Sequence, residues 1–449
     1  MKTYTLKRTL PADAPYDVVV AGGGPAGTAA AIQAARLGAR TLLLEATSCL
    51  GGMGTAGLVS NWSNTSNGAH SVIGGIMLEL VEAMHRGGYL QPGITPKAWQ
   101  ETHNKGFGFQ AEALRRLLDQ TCREAGVEVR FMTRVVEADV TGQSVHGVVI
   151  HNVEGLRYVP ARAFIDATGD AVLAHACGAD CVRAGRDTPH IMPPTLCGLL
   201  GNVDFQKFRR LQHQQPAVER ALADGFFSQP DRHVPGLFQI GAGSGILNAG
   251  HLFAMDALDI ASLSEGLMRG RELAEEYTRF FREYLDGCEG AELLTTAALM
   301  GVRESRRIRG VYELCYDDYQ ARRKFPDQIA IYCKQVDIHV YDCSEAEYAR
   351  YYTEFEEEDL LQPGECYGIP YRILVPQHWE NLWVAGRCNS SDVKVSAAIR
   401  DQPACFMMGQ AAGAAAVLAP RRGETAPDLD PNALRTLLAE HGANLGPDA

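Results

Sequence analysis

The run "YDVVVAGGGPAG", residues 16–27, passes from an apolar, β-branched segment straight into glycines at positions 22, 24 and 27. The spacing predicts a buried strand, a sharp turn, and a helix of small residues, "PAGTAAAIQAARLG", that stops at Gly38. A second strand, "ARTLLLE", ends on Glu45, 23 positions after Gly22. Strand, Gly22-x-Gly24-x-x-Gly27, helix, strand and terminal acid follow the order of a dinucleotide-binding βαβ unit. In such a unit Gly22 turns the chain, Gly24 bares the main chain to a pyrophosphate, and Gly27 lets helix and strand approach. The helix N-terminus offers N–H groups and a positive dipole end to the phosphates. Glu45 can accept from both ribose hydroxyls and would repel a 2′-phosphate. A glycine-rich turn in an ordinary α/β domain is the bland alternative, but the full register argues for a ligand carrying adenosine diphosphate.

Composition narrows the class. The chain has 449 residues, 46% of them hydrophobic, enough for a large core and two domains. Its formal net charge of −12, with both signs mixed along the chain, excludes nucleic acid as a main partner. No apolar run of signal-peptide length follows "MKTYTLKRTL", and no membrane span is expected, so the expectation is a soluble, cytoplasmic protein. Twelve cysteines are scattered along it, and the closest pair, Cys177 and Cys181, has neither thioredoxin nor cluster spacing. Reduced, buried thiols and no metal are expected.

A second glycine loop follows Glu45 in "ATSCLGGMGTAGLV", and a later strand in "ARAFIDATGD" ends at Thr168-Gly169-Asp170. Near the C-terminus "NLWVAGRC" reads as another strand, followed by the small-residue helix "FMMGQAAGAAAVLA". A nicotinamide enzyme has no need of a second loop so soon after the acid. With "GVRESRRIRG" (301–310) and "IPYRILVP" (369–376), these segments resemble the FAD-dependent oxidoreductases of the glutathione-reductase-like superfamily, distant kin of fumarate reductase flavoproteins. The resemblance runs from about Tyr16 to Leu418 and implies an α/β fold. A Rossmann-like FAD-binding domain, a parallel sheet with helices plus a β-meander, would carry an inserted α+β substrate domain.

It also implies roles for residues. Gly22, Gly24, Pro25, Ala26 and Gly27 would hold the pyrophosphate, with Glu45 and Ala46 at the ribose. Gly51, Gly52, Met53 and Thr55 would pass along the ribityl and flavin side. Val135, on a strand "VEVRFMTRVVEADV" after the helix "QAEALRRLLDQTCREAG", would touch adenine through its backbone. Ala167, Thr168 and Gly169 would close over the diphosphate, and Gly386 with Arg387 would meet the ribityl–phosphate arm. A helix beginning near Gly409, with Ala411 and Ala412, would aim its N-terminus at the flavin pyrimidine; tight helix packing is the alternative for those small residues.

Because cofactor segments come from both ends, the FAD domain is expected at 1–175 and 366–420, a substrate domain at 176–365, and a short helix with a polar tail at 421–449. The acidic stretch 353–365 reads as a solvated linker, and "GAGSG" (241–245) fails the spacing of a second dinucleotide turn. Flavin chemistry needs groups that orient substrate and move a proton. Arg303, Arg306 and Arg307 would share one face of a helix, for ligand contact or for structural ion pairing. Arg400 precedes the expected flavin-facing helix. His251, His339 and His70 are the candidate proton carriers, each against the plainer reading of a structural histidine. Tyr371 and Arg372 could line the same cavity. Cys388 and Cys49 adjoin cofactor segments and could be proposed as covalent flavin attachments, but neither spacing demands it and free buried thiols are the simpler reading of both. The expected reaction is hydride transfer between a small polar organic substrate and flavin N5, with an unassigned electron acceptor or donor. A non-catalytic or sensing flavoprotein and an NAD-dependent dehydrogenase are the rival readings. A homodimer is the base-rate expectation.

Overall fold

The computed structural model describes residues 3–103, 105–208, 210–356 and 360–446, the side chains of 210–213 and 355–356 aside. The strand Tyr16–Ala21 lies at the centre of a sheet, paired in parallel with Thr41–Leu44 on one side and Gly155–Asp166 on the other. Glu128–Arg130 and Leu382–Val384 extend the parallel part outward. Val18, Val19 and Val20 are fully buried because helices pack on one face of this sheet and residues of the antiparallel strands on the other, so both faces of each strand are apolar. The twelve-residue strand Gly155–Asp166 serves two sheets. Its second half pairs in parallel with Tyr16–Ala21, and its first half runs antiparallel to Ser144–Asn152, which pairs in turn with Arg134–Thr141. This is the expected parallel sheet with a meander.

The expected single strand after the helix Ala111–Ala125 is two strands, broken at 131–133. The break frees Met132 and Thr133 to donate to the carbonyls of Thr47 and Glu45. Val135 consequently sits in the antiparallel piece opposite Ile150, and Thr133 is the residue beside Glu45.

A second sheet holds Gly236–Gln239, Gly245–Asn248, Gly198–Gly201 and Glu292–Thr296, all antiparallel. The 25-residue helix Ile260–Tyr284 covers it, capped by the Asp259 carboxylate on Ser262 N and burying Leu273, Tyr277, Phe280 and Phe281. The "GAGSG" run closes the hairpin between the first two of these strands, with Ile240 N bonded to Ser244 O.

The helix Gln402–Arg422 runs through the main core against the helix Pro25–Arg36. A Cβ on Gly409 would lie 2.0 Å from Ala26 O, and one on Gly413 2.2 Å from Ala30 O, so glycine sets the approach of the two helices. By length and composition this helix could cross a membrane, but 89% of its apolar window is buried inside the protein, where it is a core helix. The C-terminal segment is packed rather than trailing. Leu434, Leu438 and Leu445 join the main core, and Gln328 Nε2 donates to Leu445 O at 2.6 Å. Of the acidic stretch, residues 357–359 lie outside the described residues, and Glu365 is bonded to Arg322.

Candidate functional site

Backbone builds the first half of the site. Gly22 has φ +94°, and a Cβ there would lie 2.6 Å from Ala167 O; one on Gly27 would lie 1.7 Å from Gly22 O. Neither position admits a side chain. Gly24 differs: a Cβ there would meet nothing within 4 Å, so the turn faces open space. The helix that follows has Gly24 at its N-cap and no side-chain cap, which leaves its first N–H groups for a ligand. The second loop joins the first directly through Gly51 N to Gly23 O at 2.8 Å, and Gly52 packs on Gly24. Glu45, buried, accepts from Gly23 N and Thr47 N, both at 2.6 Å.

A second open helix end lies across from this cradle. The core helix starts at Gln402, seven positions before the expected Gly409, and Ala411 and Ala412 are buried in helix packing. Asp401 stands at the N-cap but makes no cap bond. Its carboxylate accepts from Ser63 Oγ and pairs with Lys334 at 3.4 Å. Gln402 ties this end to the second loop through Val59 O, while its buried Oε1 has no partner. Two uncapped helix N-termini and an open glycine turn fit an elongated ligand that is anionic along its length.

Side chains build the other half. His251 Nε2 and His339 Nδ1 are 2.9 Å apart, and Asp231 Oδ2 lies 3.0 Å from His251 Nδ1, although off the line of a well-formed hydrogen bond. Tyr348 Oη donates to Asp231 Oδ1 at 2.6 Å. Burial works against the Asp231 charge, but His251, the Tyr348 hydroxyl and His233 N hold its carboxyl well below the usual range. Burial, then Arg303 and the neighbouring imidazoles, keep His339 neutral, and burial with His251 lowers His233 to about 4. Asp337 connects this group to the core helix, pairing with Arg400 at 3.0 Å and lying 3.7 Å from His339 Nε2. Against the cost of desolvation, Lys334, Arg400 and Arg303 hold the half-exposed Asp337 carboxyl at about 2. The ligand atoms of His233, His251 and His339 lie within 4.8 Å of one another, the arrangement of a metal trio. The guanidinium groups of Arg303 and Arg400 oppose a divalent cation there.

The family model described as FAD dependent oxidoreductase matches residues 17–438. The chain belongs to that family. It uses FAD and is a flavin enzyme. A dihydrolipoyl dehydrogenase of Trypanosoma brucei brucei matches over 46 residues at 54% identity, 10% of each chain, so the match spans a tenth of that relative's length. Among solved structures, a geranylgeranyl bacteriochlorophyll reductase-like protein from Thermoplasma acidophilum superposes with TM-score 0.51 at 15% identity, over 95% of this chain and 82% of the other. The flavin-dependent halogenase CmlS gives TM-score 0.50 at 13% identity, over 95% and 62%. These likenesses concern the fold.

In this flavoprotein several of the expected contact residues have partners within the protein. Arg303, Arg306 and Arg307 share no helix: Arg306–Ile308 is a strand paired with Cys181–Arg183, which sends Arg306 to Ala171 O, away from the histidines. Thr55 turns its hydroxyl to Leu50 O, and Met53 packs on Gly57. Arg387 joins Asp170 at 2.7 Å and Ser305 Oγ at 2.8 Å, tying the strand end at Gly386 to the one at Gly169. Thr168 folds back onto the buried Asp166. Tyr371 bonds Trp383 and Ala426 O, and Arg372 pairs with Asp327. His70 is on an exposed turn with Asn67. All twelve cysteines are free, and burial pushes the Cys405 thiol up to about 12 and Cys388 higher, which disfavours thiolate chemistry at either. Asp231 and Tyr348 belong to the site and escaped the sequence reading, because no local spacing links them to it, whereas Asp337 and Lys334 lie within five residues of His339 and were not singled out.

Proposed function

We propose that this flavoprotein moves a hydride between a small polar organic substrate and flavin N5, with His339 exchanging the substrate's proton. The supporting observation is the Asp231–His251–His339 line, whose far end, His339 Nε2, makes no hydrogen bond among the described residues. Bound FAD supplies the two-electron acceptor. The open turn at Gly24 and the helix after it would hold the pyrophosphate, and Glu45, which accepts from Gly23 N and Thr47 N, would lie at the ribose. The uncapped N-terminus at Gln402 would favour negative charge on a flavin placed before it. Asp231, kept ionised, fixes the tautomer of His251 and stabilises positive charge passed back from His339, so it is a positioning residue. An electron acceptor, whether oxygen, a quinone or a partner protein, would be needed to complete the cycle.

Anaerobic mixing with a panel of alcohols, amines and hydroxy acids, followed by the loss of flavin absorbance, tests this reading. His339→Asn is expected to slow bleaching by about 10²–10⁴-fold while FAD stays bound. Asp231→Asn is expected to slow it less and to shift its pH profile. A flavin that no substrate bleaches would overturn hydride transfer, and unchanged bleaching in His339→Asn would remove the proton role.

A further inference from the structure

Two arginines of the 301–310 segment are buried, and their partners differ. Arg307 donates to the Glu304 carboxylate at 3.0 Å, with side chains 4% and 1% exposed, and its Nε to Ser391 O. The Arg307 charge therefore has an anion in contact. Arg303, 8% exposed, uses only Nη1, which donates to Pro193 O and Thr195 Oγ1. Both acceptors are neutral. Among the described residues no carboxylate pairs with Arg303, and its Nε and Nη2 make no hydrogen bond. A buried guanidinium without a contacting anion is costly, and a carbonyl with a hydroxyl only partly compensates. Burial and the nearby Arg400 push its pKa down to about 10, so it remains a cation at neutral pH.

The unused edge is also the informative one. Nε and Nη2 of an arginine form a planar fork that matches the two oxygens of a carboxylate. The segment that Arg303 grips leads to the histidines, since Leu252 N, next to His251, bonds Pro194 O. Arg303 is the leading charged group acting on His339 after burial itself. Arg400, held on Asp337, keeps a buried Nε with no partner in the same cluster. Arg303, with Nε and Nη2 unbonded, and His339, with Nε2 unbonded, therefore belong to one charged cluster.

We propose that the substrate is a short 2-hydroxy carboxylate, its acid group held side-on by Arg303 and its hydroxyl presented to His339. This rests on the hydride-transfer reading above. The hydroxyl proton goes to His339 and the C2 hydride, with its electron pair, to oxidised FAD. A C=O bond forms at C2, so the product is the 2-oxo acid and reduced FAD.

The test uses the FAD-loaded protein and a probe that cannot be oxidised in this way. Oxalate is expected to shift the flavin absorbance saturably and to raise the melting temperature. Oxamide, its uncharged analogue, is expected to do neither, and inorganic phosphate to bind at least tenfold more weakly. Arg303→Met should weaken oxalate about 100-fold or more with FAD retained, and Arg303→Lys should recover part of that loss. Equal binding of oxamide, a preference for phosphate, or an Arg303→Met protein that binds oxalate normally would each overturn the proposal. Should Arg303→Met fail to fold, the oxalate and oxamide comparison on the unaltered protein decides alone. The two readings separate in the same experiment. A flavin that binds oxalate but is bleached by nothing overturns hydride transfer and keeps the carboxylate site. Bleaching by neutral alcohols as fast as by 2-hydroxy acids keeps hydride transfer and overturns the carboxylate.

Discussion

The nucleotide cradle and the charged cluster solve opposite problems. The cradle is made by leaving things out: no side chain at Gly22, Gly24 or Gly27, and no cap on either helix N-terminus that faces it. What remains is main-chain N–H, which binds anionic oxygen without carrying formal charge. The cluster is made by packing ionisable side chains until they control one another, with Asp231, Asp337, Lys334, Arg400 and Arg303 around three imidazoles. At Gly22 and Gly27 the cradle has no room for an added atom, whereas the cluster depends on how its charges are paired.

Gly27→Ala should have the largest effect. The new Cβ would lie 1.7 Å from Gly22 O, main chain that cannot yield, so helix and strand must part. A loss of roughly 4 kcal/mol or more and release of FAD are expected, measured by denaturant unfolding and by flavin content. A variant that folds and stays yellow would mean the turn is not rigid.

Glu304→Gln comes next and addresses charge alone. The side chain keeps its shape, but Arg307 becomes a buried cation without an anion, at a cost of about 3–5 kcal/mol. Urea unfolding reads this, and a shift under about 1 kcal/mol would show that the pair is more hydrated than its exposure implies.

The same contrast explains what could be read from sequence. The cradle lies within 16–57 because close approach and left-handed backbone require glycine at fixed offsets, and those offsets survive in one dimension. The cluster brings together residues near 231, 251, 303, 337 and 400, whose contacts depend on how the second sheet docks on the core. His251, His339, Arg303 and Arg400 were legible as residue types in suggestive places, yet their links through Asp231 and Asp337 were not. The arginine run misled because periodicity alone placed 303, 306 and 307 on one helical face. Pairing with Cys181–Arg183 turns that segment into a strand and sends the three side chains to different partners.

Acid should weaken the cluster before the cradle. His233 has its pKa lowered to about 4 from 6.5, so between those values the unfolded chain binds a proton that the folded chain refuses. Stability is then fully present above about pH 6.5 and falls as pH drops toward 4, by roughly 3 kcal/mol for this group, with His339 adding in the same direction. Melting temperature measured from pH 7 to 5 should decline, and His233→Gln should flatten the decline. A flat profile in the unaltered protein would contradict the burial of neutral imidazoles.

The smallest effect on stability belongs to Gly24→Ala, and it is the sharpest comparison with Gly27→Ala. A Cβ at position 24 meets nothing within 4 Å, and the backbone there, φ −68°, suits any residue. The FAD-free protein should therefore melt within about 1 °C of the unaltered chain, since surface changes that touch nothing stay near ±0.5 kcal/mol. The methyl group would nonetheless stand in the space that the pyrophosphate needs, so FAD affinity should fall at least tenfold in a flavin-fluorescence titration. Intact stability with weakened FAD would separate the two glycines by task, one serving the fold and the other the ligand. Unchanged affinity would move the pyrophosphate off the main chain at Gly24 and leave the uncapped helix end without its proposed partner.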